Sequence, residues 1–129
     1  MKRLVALASI FLATVLSTGC ATLADAQAAK GAGTVKVYNK PYDVVWNTLI
    51  ETVKSSGLAL VSENKEKGNI LAQGGMSVFS YGENVAIFVE AVGGQSITRV
   101  EVVSKRAMAA NITAADWESR IFEALDKRL

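Results

Sequence analysis

Two amphipathic helical stripes bracket a block of short β-type runs, and this order constrains the fold more than any other feature of the 129-residue chain. The first stripe spans about residues 41–55, where large apolar residues recur at steps of three and four. Pro41 suits the first helical position, Asp43 the first turn and Gly57 a left-handed cap beyond the helix. The stripe consists of Tyr42, Val45, Trp46, Leu49, Ile50 and Val53.

The β-type runs predict strands that pair as hairpins. One short run, Thr34–Tyr38, precedes the first helix and places Val35 and Val37 on one face. The runs after the helix are separated by glycine-containing turns, which favours antiparallel pairing. These later runs are Leu58–Glu63, Asn69–Gln73, Met76–Tyr81, Asn84–Val92 and Ser96–Lys105.

A second amphipathic helix follows the last strand. Thr113 suits its N-cap, Asp116 its first turn, and the apolar stripe runs from Ala114 to about Lys127. Strands bracketed by helices are typical of α+β domains. We therefore expect residues 34–129 to form one α+β domain, in which two helices pack on one face of a curved antiparallel sheet of about five strands. The other face of the sheet is expected to be partly solvated.

The N-terminus predicts export. Lys2 and Arg3 precede an uncharged run of apolar and small residues, Leu4–Leu16, which small and polar residues follow. This is the pattern of a secretory signal peptide, here residues 1–19. At 1.5 Å per residue the run spans only about 20 Å, which is short of the ~30 Å hydrocarbon core that a permanent transmembrane helix must cross.

The end of the signal, Leu16-Ser17-Thr18-Gly19-Cys20, resembles the lipobox of bacterial lipoproteins, with Ser17 where a leucine is usual. The resemblance implies diacylglycerol on Cys20, cleavage before it and acylation of the new amine. Ala21 after the cysteine favours the periplasmic face of the outer membrane, by analogy with enterobacterial sorting. Residues 20–33 are small and polar and are expected to form a flexible tether.

An ordinary export signal is the alternative interpretation. Cleavage after Ala24-Asp25-Ala26 or after Ala26-Gln27-Ala28 would discard Cys20 and release a soluble periplasmic or secreted domain.

Composition argues against catalysis and against nucleic-acid binding. Of the 14 basic residues, Lys2 and Arg3 precede Cys20, and the remaining 12 balance the 12 acidic residues. A neutral domain lacks the basic surface that phosphate binding needs. The chain has no His and one Cys, which excludes the commonest zinc sites and His-activated nucleophiles. Because the acidic residues fall mostly on predicted solvent faces, we expect no catalytic, cofactor or metal site.

The candidate contact patch consists of Met76, Phe79, Tyr81 and Phe88. Phe88 alternates with Val85, Ile87 and Val89 and therefore points to the other face of its strand. If these aromatic residues face outward, they mark a surface for an envelope protein partner. The alternative is a small apolar ligand, carried or sensed in a groove between helix and sheet.

Five segments of the predicted domain form a recurring combination: Pro41–Trp46, Ser56–Leu58, Lys67–Ile70, Thr98–Val102 and Trp117–Leu125. Together they resemble a family of small proteobacterial lipoproteins of unknown function. The resemblance covers about residues 34–129 and extends, more distantly, to the helix-grip domains of the lipoprotein C subunit of the outer-membrane β-barrel assembly machinery. It implies the fold described above and no functional residues.

Overall fold

Five strands and three helices make up the part of the chain that the computed structural model describes, which is residues 22–75, 82–94, 96–106 and 116–129. The helices are α1 (Leu23–Ala28), α2 (Tyr42–Ser55) and α3 (Trp117–Arg128). The strands are β1 (Thr34–Tyr38), β2 (Ala59–Asn64), β3 (Asn69–Gly74), β4 (Glu83–Ala91) and β5 (Thr98–Arg106).

The strands form one open sheet in the order β1-β5-β4-β3-β2, and every neighbouring pair is antiparallel. The predicted α+β class, with a five-stranded antiparallel sheet and two helices on one face, is confirmed. The predicted strand Met76–Tyr81 lies outside the described residues. β3 ends at Gly74 directly opposite Glu83, where β4 begins.

The main core lies between the sheet and the stripes of α2 and α3. Strand residues that point to this face alternate with residues of the opposite face, as the period of two requires. Apolar burial of this kind is the main favourable contribution to folding. The largest fully buried side chains here include Leu49, Ile70, Ile87, Ile121 and Leu125.

The helix ends differ from the sequence prediction by small shifts. Pro41 is the N-cap of α2 in extended conformation, one residue before the predicted position, and Gly57 has the expected positive φ of 90°. Asp116 was predicted in the first turn of α3 but is its N-cap, and its side chain accepts a hydrogen bond from the backbone N–H of Ser119. Thr113, the predicted cap, lies outside the described residues.

The second face of the sheet is covered at its centre, which the sequence did not predict. Residues 22–33, expected to be a flexible tether, instead contain α1, which lies over β3, β4 and β5. We call residues 22–33 the docked segment. Its helix begins with a reciprocal capping box: Thr22 accepts from the backbone N–H of Asp25, and the Asp25 carboxylate accepts from that of Thr22 at 2.6 Å.

Candidate functional site

Four of the residues singled out from the sequence lie outside the described part of the chain: Cys20, Met76, Phe79 and Tyr81. The fifth, Phe88, lies on β4 and points away from the main core, as its alternation predicts. The condition for a contact role, an outward-facing aromatic side chain, is not met at Phe88, because its exposed fraction is only 4%. The docked segment covers it, so Phe88 is not available as an outward contact residue.

An apolar strip under α1 explains this burial. Ala26 of α1 is fully buried and packs in one cluster with Ala86, Phe88 and Val103, and Ala29 and Leu71 border the cluster. Small side chains let the helix approach the strands closely, where a larger residue would hold it off. The docked segment thus buries a second, smaller core on the sheet face that was expected to be partly solvated.

Glu101 fastens the end of the docked segment to β5. Its side chain is 1% exposed, and its Oε1 accepts hydrogen bonds from the backbone N–H groups of Gly31 at 2.5 Å and Gly33 at 3.2 Å. The Arg99 guanidinium lies 3.5 Å from Oε2, which has no hydrogen-bond donor among the described residues. Glu101 is therefore an exception to the expectation that the acidic residues lie mostly on solvated faces, since it accepts backbone hydrogen bonds under the segment.

Close approach at Gly33 makes this arrangement specific. A Cβ atom at Gly33 would lie 2.2 Å from the carbonyl oxygen of Val102 and 2.7 Å from a methyl group of Val103. Neither distance is compatible with a real Cβ, so the segment joins β1 in this geometry only with glycine at position 33.

A surface ion pair completes the contacts of the docked segment. Lys30 Nζ lies 2.6 Å from Glu90 Oε1 and 5.5 Å from the centre of the Phe88 ring. The hydrogen bond from Lys30 lowers the pKa of Glu90. Because both side chains are about half exposed, solvent screens this pair, and its contribution is small compared with that of Glu101.

Two carboxylates of α3, Glu118 and Asp126, hold this helix against the strands. Glu118 accepts backbone hydrogen bonds from Thr34 and Ser104, each at 3.1 Å, and so ties α3 to β1 and β5. Asp126 accepts from Lys36 and, at 2.8 Å, from the hydroxyl of Tyr38. The hydrogen bond from Lys36 is the main cause of a lowered pKa at Asp126. These contacts give the carboxylates structural partners.

An open cleft lies at the opposite end of the sheet from the start of β4. Its volume is about 360 Å³, and Pro41, Tyr42, Asp43, Ala91 and Gly94 line it. The Asp43 carboxylate is paired with Lys65 at 2.9 Å, and the Tyr42 hydroxyl donates to the Lys65 carbonyl at 2.6 Å. Both polar side chains at this cleft are therefore committed to structural contacts.

Buried apolar side chains of α2 pack against the sheet in the region where the sequence suggested, as an alternative, a groove for an apolar ligand. Trp46 is buried there and stacks on Tyr42, with ring centres 6.0 Å apart. No group of three or more His, Cys, Asp or Glu side chains that could hold a metal occurs within the described ranges. Among those same ranges, none of the helices is long and apolar enough to cross a bilayer.

These features define the class of the fold: an open-sheet α+β domain with an N-terminal segment folded back onto its second face. No protein-family model matches the chain, and no curated protein matches it. The resemblance to small proteobacterial lipoproteins and to helix-grip domains therefore stays a prediction from the sequence.

Proposed function

We propose that this protein is a lipid-anchored lipoprotein of the bacterial envelope whose α+β domain binds a protein partner and has no catalytic activity of its own. Residues 1–19 act as the export signal, and Cys20 carries the lipid at the new N-terminus. Two or more acyl chains on one residue make attachment stable, since a single chain holds a protein only marginally. Ala21 directs the protein to the periplasmic face of the outer membrane.

The docked segment is the observation that carries this proposal. The alternative export signal is cleaved after Ala26 or after Ala28, and both positions lie inside α1. Cleavage at either would remove the capping box and Ala26, and would leave the apolar strip around Phe88 without its cover. Cleavage before Cys20 would keep the whole docked segment. The packing of that segment on the sheet therefore supports the lipoprotein interpretation.

The contacts of the carboxylates support a non-catalytic role. Glu101 and Glu118 accept hydrogen bonds from backbone N–H groups, and Asp126 accepts them from side chains of β1. General acid–base catalysis by two carboxylates requires a pair whose environments separate their pKa values at a site that substrate can reach. We therefore assign these residues to holding the fold.

Metabolic labelling with palmitate tests the anchor. The wild-type chain should take up label and fractionate with the outer membrane, whereas Cys20→Ala should take up none and leave the membrane fraction. A matched control, Ser17→Ala, should be labelled like the wild type, because it removes no acylated atom. Equal labelling of wild type and Cys20→Ala contradicts the proposal.

Photo-crosslinking in intact envelopes tests the partner. We propose that the apolar sequence Met76, Phe79 and Tyr81 supplies the contact, so a photoreactive residue at position 79 should give one discrete adduct. The same probe at the exposed residue Glu66 on the β2–β3 turn serves as the control. No adduct at position 79, or the same adducts from both positions, contradicts a specific contact there.

A further inference from the structure

The docked segment contributes to only one of the two cores of the domain. No described residue belongs to both cores, and none of residues 22–33 belongs to the main core. The small core consists of Ala26, Ala86, Phe88 and Val103, and Ala26 is the one buried side chain that the segment supplies to it. The main core between the sheet, α2 and α3 therefore stays complete when the segment leaves.

α1 and its docking form one cooperative unit. The helix has six residues, and isolated helices shorter than about 12–15 residues are marginal in water. Its backbone hydrogen bonds, from Ala26 to Thr22 and from Ala29 to Asp25, each at 3.1 Å, are therefore kept only while the helix rests on the sheet. Undocking also unwinds the helix, so residues 22–33 open together.

The sheet surface beneath the segment suits water as well as cover. Phe88 lies opposite Asn69 on β3 and opposite Glu101 on β5, so a polar residue flanks it on each side. Burying the Glu101 carboxylate is unfavourable, because its Oε2 has no hydrogen-bond donor among the described residues. When the segment leaves, water reaches this carboxylate and offsets part of the hydrogen bonding lost from Gly31 and Gly33. A cover that never opened would favour an apolar side chain at position 101.

Opening of the segment stops at β1. Every residue of β1, Thr34–Tyr38, pairs with a residue of β5. The backbone N–H of Thr34 also donates to Glu118 of α3 at 3.1 Å. The movable part is therefore residues 22–33, and β1 stays in the sheet.

We propose that the docked segment is a releasable strap: it opens as a unit while the sheet, α2 and α3 stay folded, and its release lengthens the link between the lipid and the domain. Twelve residue steps separate Thr22 from Thr34, so the released chain reaches up to about 40 Å when extended. While docked, the same stretch lies on the sheet and adds none of this reach. The gain in reach rests on the proposed lipidation of Cys20, whereas the opening itself does not.

Hydrogen exchange of the full-length protein in urea below the unfolding transition tests the opening. The amides of Ala26, Ala29, Gly31 and Gly33 should exchange through one event that urea hardly promotes, since the urea dependence scales with the surface exposed. Val89, whose N–H donates to the Gly68 carbonyl at 2.9 Å, should report global unfolding instead. Its protection should be at least about tenfold higher and should fall steeply with urea. Equal protection and equal urea dependence for the two groups overturn the proposal.

A matched pair of variants separates release of the segment from loss of the fold. Ala26→Glu introduces a carboxylate at a fully buried position and should open the segment, whereas Ala28→Glu makes the same change at an exposed position of α1. In Ala26→Glu the Gly31 amide should lose its protection. The protection of Val89 should fall by no more than the wild-type protection factor of Gly31, because the variant withdraws only the free energy of docking. A larger fall at Val89 overturns the proposal, since the segment would then be part of the global fold.

Distances between two spin labels test the change in reach. The labels are placed on Gln27→Cys in α1 and Glu66→Cys in the β2–β3 turn, both at exposed positions. With or without Ala28→Glu the acylated protein should give one narrow distance, and Ala26→Glu should give a broad distribution that extends to longer distances. The same narrow distance in all three overturns the release. If palmitate labelling finds no lipid on Cys20, the proposed function and the gain in reach both fail, while exchange at Gly31 decides the opening independently.

Discussion

Replacing Glu101 by alanine should destabilise the domain far more than replacing any acid on its surface. Its Oε1 accepts the backbone N–H groups of both Gly31 and Gly33, at 2.5 and 3.2 Å. Hydrogen bonds to a charged group contribute about 1.5–3 kcal/mol each, so losing both would cost up to roughly 6 kcal/mol. Oε2 of the same buried carboxylate accepts no hydrogen bond from the described residues, so burying it is unfavourable. Removing the carboxylate therefore recovers part of the lost free energy.

The net expectation for Glu101→Ala is a decrease of about 2–4 kcal/mol in the free energy of unfolding. Glu90→Ala is the matched control, because it removes another carboxylate that holds the same segment. The Lys30–Glu90 pair is about half exposed, so its loss should cost only about 0.2–1 kcal/mol. The difference between the two variants measures which contact fastens the segment.

Urea unfolding of the chain from residue 22 onward, followed by tryptophan fluorescence, gives both free energies. Hydrogen exchange at Gly31 and Gly33 locates the effect, since their amides should lose protection in Glu101→Ala and keep it in Glu90→Ala. Equal free energies for the two variants, or unchanged protection of both glycines in Glu101→Ala, would refute the assignment of Glu101 as the residue that holds the segment.

Three further predictions address the fold. Leu125→Ala empties a fully buried position and should lower the free energy of unfolding by about 2–5 kcal/mol, whereas Leu125→Met should cost less than about 1.5 kcal/mol; urea titration measures both. Gly33→Ala places a Cβ 2.2 Å from a carbonyl oxygen and should lower the free energy of unfolding by about 1–3 kcal/mol. Gly75→Ala is the control, because its Cβ meets open space. Equal thermal midpoints for the two variants would contradict the close approach at Gly33. The hydrogen bond from Lys36 lowers the pKa of Asp126 below 3.8 in the folded state. The pair therefore stabilises the fold above pH 3.8, and this stabilisation is lost as the pH falls through the lowered pKa. In acid unfolding, Asp126→Asn should lose less stability than the wild type.

The sequence predicts those elements that have strong periodicity. α2 carries an unbroken apolar stripe from Tyr42 to Val53, and the alternating apolar residues of β4 place Phe88 on the correct face of the sheet. These signals are local, because each depends only on residues a few positions apart. The predicted α+β class follows from them directly.

The docked segment was missed because its stability is not local. α1 has six residues, of which three are alanines, and so it shows no stripe. The one local signal was Thr22-x-x-Asp25, a capping box with Asp in place of Glu or Gln. The docked segment covers Phe88 and donates hydrogen bonds to Glu101, which lie about 60 to 70 positions further along the chain. Periodicity within a single segment does not reveal such contacts.

The mass of the mature N-terminal peptide, purified from membranes in detergent, tests the central claim most directly. The account predicts a chain that begins at Cys20 and carries a diacylglycerol thioether together with an acylated amine. A chain that begins at Gln27 or Ala29, without lipid, would contradict the anchor and would show that α1 is cut away in the mature protein.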